Sequence, residues 1–159
     1  MKSNIKSLLM HLAIVAITLI FLIGFVISGP KFGMYTTNML CRFLFTILFL
    51  ICYIYIGSLL STKKDKNYDF FKGVTIGLIG IGLWTYTFIK IKYNLIQTPQ
   101  ELNEYWMMFN LYYAPFTMIY FFLDITVSPI LLLFTNLIPS LLIGLGVKYK
   151  RLKEKKIKI

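Results

Sequence analysis

Residues 105–122, YWMMFNLYYAPFTMIYFF, decide the fold, because the number of membrane crossings turns on whether this stretch spans a bilayer. It carries Tyr105, Trp106, Phe109, Tyr112, Tyr113, Phe116, Tyr120, Phe121 and Phe122, nine of the chain's 27 aromatic residues. Pro115 has no amide hydrogen and its ring crowds the preceding turn, so the sequence predicts two short helical pieces here. At helical phase Tyr105, Phe109, Tyr112, Tyr113, Phe116 and Tyr120 share one side, with Met107, Leu111, Ala114 and Met118 on the other. Tyr and Trp favour the headgroup level, where the ring body is apolar and its tip is wet.

Four other stretches, residues 8–28, 43–60, 73–89 and 125–147, are apolar over the roughly 17–25 residues that a helix needs to cross hydrocarbon. None alternates as a barrel strand would, so helices, which pair their own backbone groups, are the expectation. The first stretch follows Lys2 and Lys6 but is too long for a leader and lacks a small-x-small cleavage pattern. It reads as a retained anchor.

Basic residues settle whether 105–122 is a fifth crossing. With four spans, Lys2, Lys6, Lys63, Lys64, Lys66, Lys72 and the seven cations after residue 147 lie on one side, 13 in all. Only Lys31, Arg42, Lys90 and Lys92 lie on the other. A fifth span gives 6 against 11 or the reverse, so the positive-inside rule favours four spans and cytoplasmic termini. The fold class expected is therefore all-α: a polytopic membrane protein, a four-transmembrane-helix bundle with an aromatic interfacial or re-entrant segment before the last helix. A fifth span with a tight turn near 124–129 is the alternative.

Composition agrees. The chain has 159 residues, 58% hydrophobic and only 14% charged, with net charge +11. Soluble domains carry about 25% charge, and a chain this size has no core large enough for so much apolar surface. Soluble enzymes, disulfide scaffolds and disordered chains are excluded. Fifteen Lys against two Arg, with three Ala, point to an AT-rich bacterial genome, hence a bacterial cytoplasmic membrane.

Polar residues inside the spans are the candidates for function. In the third span Gly73, Gly77 and Gly80 lie on one helical face, extended by Trp84, and Gly73 and Gly77 have the small-xxx-small spacing of closely packed helices. In the fourth, Pro139 leaves the Thr135 carbonyl without its donor, predicting a kink beside Asn136, an amide costly in apolar surroundings. A ligand cavity lined by Asn136, Pro139 and Trp84, with Asn110, Tyr113 and Thr117 in an aromatic lid, is one reading of these residues. Packing alone is the other. His11 and Arg42, near span ends, are expected to snorkel to the interface. Asp124 is placed to pair with an outer cation. Lys148, Lys150, Arg151, Lys153, Lys155 and Lys156, in the tail 148–159, are expected to hold anionic inner-leaflet lipid. Nucleic acid is not expected, since no base-stacking platform accompanies the charge.

Catalysis has little to work with. The six carboxylates, Asp65, Asp69, Glu101, Glu104, Asp124 and Glu154, lie outside the spans, and His11 is the one histidine. No zinc motif, intramembrane aspartate pair or nucleophile–base set is present, so no catalytic residue, metal or cofactor is expected. Cys41 and Cys52 lie roughly 16 Å apart along one helix, beyond disulfide reach. The leading expectation is a non-enzymatic accessory, regulatory or immunity-type subunit. It would act through helix contacts with a membrane-protein partner or second copy, using the glycine face and the aromatic segment. The alternative is a small-solute binding or transport component.

Overall fold

The structure, a computed structural model, describes residues 2–60, 68–91 and 104–156, and every regular element in them is helical. Lys63, Lys64, Lys66, Asp65, Lys92, Glu101 and Lys158 lie outside the described residues. The elements are α1 (Lys2–Ser28), α2 (Pro30–Thr37), α3 (Met39–Leu59), a 3-10 turn (Phe70–Gly73) and α4 (Val74–Ile91). Then come α5 (Glu104–Tyr112), α6 (Ala114–Phe122), α7 (Pro129–Thr135) and α8 (Ile138–Lys156). Four helical segments, Ser3–Ser28, Met39–Leu59, Phe70–Ile91 and Pro129–Lys155, are long and apolar enough to cross a membrane, compatible with a multi-pass protein.

Local chemistry sets the boundaries. Gly29, at φ 54, breaks the chain after α1, and Pro30 opens α2 with its fixed φ. The Asn38 side chain accepts from Leu40 N at 2.9 Å and caps α3. The last span starts four residues later than its apolar run, because two signals meet there. Asp124 takes the left-handed conformation (φ 58) while Ile125 N bonds Tyr120 O and Asp124 N bonds Phe121 O. That pair of bonds is a Schellman ending, which closes α6. Residues 125–128 are then extended until Ser128 and Pro129 start α7. At the other end α8 runs on through the basic tail to Lys156, as expected for Lys-rich sequence at a negative helix terminus.

The aromatic stretch is a helical hairpin. Descending α5 runs antiparallel to α4: Thr87 Oγ1 donates to Tyr105 O at 3.0 Å near one end, and Tyr112 Oη to Ile76 O at 3.1 Å near the other. The chain breaks at Tyr113 (φ −103, ψ 27), Pro115 enters the first turn of α6, and α6 climbs back. Its rings follow α3 and α1 upward, Phe116 against Tyr53, Phe122 against Phe45 and Phe121 against Phe25. The one-sided phase expected for 105–122 fails for this reason: the break resets it. Tyr105 is exposed, whereas Ala114 and Met118, expected opposite the rings, are buried with nearly all of α6.

Two glycine contacts set the helix spacing. A Cβ on Gly57 would meet Ile143 O at 2.1 Å and Gly146 Cα at 2.9 Å; one on Gly146 would meet Ile54 O at 1.9 Å. So α3 and α8 cross backbone to backbone. Similarly Gly73 abuts Ser140 Cα and Gly77 the Asn136 carbonyl, both at 2.9 Å from the would-be Cβ. The small-residue face of the third span is packed against the fourth within the chain.

The start of α1 and the ends of α3 and α8 gather at one end of the bundle. There Ser7 Oγ donates to Lys72 O, Lys150 Nζ donates to Leu60 O at 3.0 Å, and Ser140 Oγ to Phe70 O at 3.0 Å. Asp69, 3% exposed, receives Lys72 Nζ at 2.9 Å and a two-pronged bond from Arg151, Nε at 3.0 Å and Nη2 at 2.8 Å. Burial pushes this carboxyl up, but the bonds from Arg151 and Lys72 outweigh it and hold it below the ordinary 3.8.

Two stability predictions follow from these contacts. Gly146→Ala forces two backbones apart and should cost about 1–3 kcal/mol or more. Gly82→Ala, with nothing within 4 Å of its Cβ, should leave stability unchanged or slightly raised. Thermal unfolding of both variants in one detergent compares them directly. An acid with a lowered folded pKa contributes stability that is complete above its unfolded value and lost as the pH falls through the folded one. Stability should therefore drop as pH falls below about 4, and Asp69→Asn should remove that step. At neutral pH the same variant should cost about 1–3 kcal/mol, less than a dry ion pair because the cluster borders a pocket.

Candidate functional site

Two helix breaks meet deep in the bundle, and the residue between them is Gly80. One is the hairpin apex at Tyr113. The other is the α7–α8 junction, where Asn136 N bonds Leu133 O and Leu137 N bonds Phe134 O in tightened turns. Pro139, buried, sets that junction because it cannot donate to Thr135 O. A Cβ on Gly80 would lie 2.1 Å from Tyr113 Oη and 2.2 Å from Asn136 Oδ1. Only glycine lets both side chains reach α4 here. Its missing side chain also uncovers the turn before it, and Ile76 O accepts both Tyr112 Oη, at 3.1 Å, and Tyr113 Oη, at 3.3 Å.

Asn136 is 1% exposed. Its Nδ2 donates to Leu132 O at 3.1 Å and Leu133 O at 2.9 Å, the carbonyls loosened by the break. Its Oδ1 is buried without a hydrogen-bond partner. A buried, unmatched amide oxygen costs about 1–3 kcal/mol.

Below Tyr113 the apex is held by His11. Nε2 lies 3.1 Å from Tyr112 O and Nδ1 2.8 Å from Tyr53 Oη. A carbonyl only accepts, so Nε2 carries the proton; in the neutral ring Nδ1 then accepts from the Tyr53 hydroxyl. The imidazole also meets the Tyr112 ring edge-on, with centroids 4.8 Å apart. Farther up, Tyr120 Oη donates to Thr135 Oγ1 at 2.6 Å, and Thr135 Oγ1 in turn donates to Leu131 O at 2.8 Å.

His11 thus corrects the expectation that it snorkels to the interface: it is fully buried and pins the hairpin. Sequence reasoning missed it, together with Tyr53, because its partners lie 42 and 101 residues away. Three of the expected ligand residues do gather: Tyr113 and Asn136 meet at Gly80, and Pro139 makes the break that presents Asn136. Trp84 points elsewhere, donating to Pro129 O at 2.8 Å and stacking on Phe88. Asn110 and Thr117 join across the hairpin apex, Thr117 Oγ1 lying 3.4 Å from Asn110 O and 3.3 Å from Tyr113 O. Thr117 also lines a shallow pocket of about 310 Å³ with Tyr120, Phe121 and Asp124 at the other end of the bundle.

The tail cations divide by role. Lys150 caps α3, Arg151 binds Asp69, Lys148 and Lys155 border a pocket beside them, Lys153 is exposed and Lys156 is the last residue of α8.

No protein-family model, curated protein or solved structure matches this chain. Its chemistry must be read from the site alone. The groups around Gly80 are neutral: tyrosine hydroxyls, a backbone carbonyl and one unpartnered amide oxygen. Such a set suits a small neutral molecule that donates a hydrogen bond. Among the described residues no three His, Cys, Asp or Glu side chains converge as a metal would require.

The two polar positions should respond by different amounts. Tyr53→Phe strands His11 Nδ1 and should destabilise by about 1–3 kcal/mol. Asn136→Leu removes the unmatched acceptor but also the donor to Leu132 O and Leu133 O, so the two effects oppose and stability should change by less than about 1 kcal/mol. Unfolding curves of the two variants and the parent, in one detergent, test both.

Proposed function

We propose that this chain is a multi-pass protein of a bacterial cytoplasmic membrane, with both termini cytoplasmic. Its role is non-enzymatic: it binds, and lets pass, a small neutral hydrogen-bond-donating solute at the crossing of its two broken helices. The aromatic stretch is a re-entrant hairpin that enters from the outer face and returns to it. Irregular backbone at membrane depth is tolerated where protein buries it or where it lines a cavity, and discontinuous helices recur at transporter binding sites.

The observation that carries the reading is the buried, unpartnered Asn136 Oδ1 at the point where both breaks touch Gly80. A permanent scaffold gains nothing from an unmatched acceptor there, whereas a solute N–H or O–H would satisfy it. In the conformation described the Tyr113 hydroxyl closes the space above Gly80, so passage requires the hairpin apex to shift. The Tyr113 break, next to Pro115, supplies the hinge.

The accessory-subunit reading has less support. The glycine face it would use packs against Ser140 and Asn136, and Trp106, Phe109, Tyr113, Phe116 and Phe122 are buried in the chain's own core. The exposed side chains of α1 and α3, such as Ile20, Val26, Leu40 and Leu44, are what lipid-facing helices carry in any case.

Stopped-flow light scattering on proteoliposomes exposed to urea, formamide or glycerol gradients tests this. At least one solute should equilibrate faster than in empty vesicles. Gly80→Leu should abolish the gain and Asn136→Leu should reduce it about tenfold, the loss of one well-placed hydrogen bond. Equal rates for the parent and Gly80→Leu with every solute would overturn the reading.

A further inference from the structure

The end of the bundle that gathers α1, α3 and α8 holds a second feature. A pocket of about 300 Å³ lies between the 3-10 turn and the last turns of α8, lined by Asp69, Phe70, Lys148, Arg151, Leu152 and Lys155. Lys148, Arg151 and Lys155 recur at helical spacing, so they stand on one face of α8. Phe70 seats on the same helix at Gly144, whose Cβ would come within 2.3 Å of the ring. The wall is therefore cationic on one side and apolar, through Phe70 and Leu152, on the other.

Asp69 does not cancel this charge. Its two oxygens are engaged by Lys72 and Arg151, and its side chain is 4% exposed against 18% for Arg151. One carboxylate is thus answered twice before Lys148 and Lys155 are counted, and the pocket keeps a positive surplus. The Asp69 bonds also fix the Arg151 guanidinium plane, so little side-chain entropy remains to be lost when an anion arrives.

We infer that this pocket is a binding site for a phosphate group, held by Lys148, Arg151 and Lys155, and that the phosphate belongs to an anionic phospholipid of the adjoining leaflet. The apolar wall decides for lipid over free phosphate, since Phe70 and Leu152 offer an acyl chain a surface that inorganic phosphate has no use for. This differs from a diffuse attraction of the basic tail to the membrane. The latter needs only charge near the surface, and Lys153 would serve it as well as Lys148. The site stands independently of the solute pathway.

The test uses the full chain in a neutral detergent, with native mass spectrometry and thermal unfolding as readouts. Phosphatidylglycerol should be retained and should raise the unfolding temperature, and phosphatidylcholine should do neither. Lys148→Gln with Lys155→Gln should weaken phosphatidylglycerol binding about tenfold or more. The charge-matched pair Lys6→Gln with Lys153→Gln, at exposed positions outside the pocket, should leave it unchanged. Equal weakening in both pairs, or equal retention of the two lipids, would overturn the site. Inorganic phosphate and glycerol phosphate form the last arm. Protection by either at millimolar concentration, matching that of the lipid and lost in the Lys148/Lys155 pair, would keep a phosphate site but overturn the lipid assignment.

Discussion

A carbonyl freed by a helix break inside an apolar bundle must find a donor, and this constraint organises the whole structure. The chain breaks or ends its helices many times, and polar side chains from other elements donate to backbone carbonyls near these boundaries. His11 takes Tyr112 O at the hairpin apex, Trp84 takes Pro129 O and Thr87 takes Tyr105 O. Lys150 takes Leu60 O, Ser7 takes Lys72 O and Ser140 takes Phe70 O. These donors are the bundle's long-range staples. The bonds to Tyr112 O and Leu60 O repair helix C-termini, and those to Tyr105 O, Pro129 O and Phe70 O reach the starts of elements. All of them fix which element lies beside which, so the polar groups specify the arrangement while the apolar surface supplies the bulk of the contact.

Glycine makes those arrivals possible. Gly57 and Gly146 bring α3 and α8 close enough for Lys150 to reach the end of α3. Gly73, Gly77 and Gly80 bring the broken fourth span against α4 along its length. Where a side chain is missing, a neighbouring backbone comes near, and a carbonyl such as Ile76 O becomes available to a partner from a third element. Packing and hydrogen bonding are thus one device, read from two sides.

The parts legible in the sequence are those with a local cause. Apolar length announced the four helices long enough to cross a membrane, Pro115 and Pro139 announced the two breaks, and the Gly73–Gly77 spacing marked a close-packed face. The unread parts depend on chain-distant pairing. His11 has no local signature that separates a buried anchor from an interfacial residue, and the phase of residues 105–122 could be followed only up to the turn at Tyr113. The late start of the last span had a readable signal in Ser128-Pro129, a capping residue followed by a proline, which the continuous apolar run obscured. Gly80 could be assigned to a face but not to its function, because what it makes room for comes from two other segments.

Three of the buried side chains with an unpartnered polar atom show why one location stands out. Thr46 carries a hydroxyl that can turn toward a nearby carbonyl with little rearrangement, as Thr18 does with Ile14 O at 2.8 Å. Trp106 offers an unpartnered indole donor on the descending limb of the hairpin, within a regular helix away from either break. Asn136 differs from both. Its amide is fixed by two bonds through Nδ2, so Oδ1 cannot turn away, and it points at the single glycine against which both broken helices close. An acceptor held that rigidly, where two helix breaks meet, is the observation on which the proposed solute site rests. Support alone accounts for the two Nδ2 donations and leaves Oδ1 without a task.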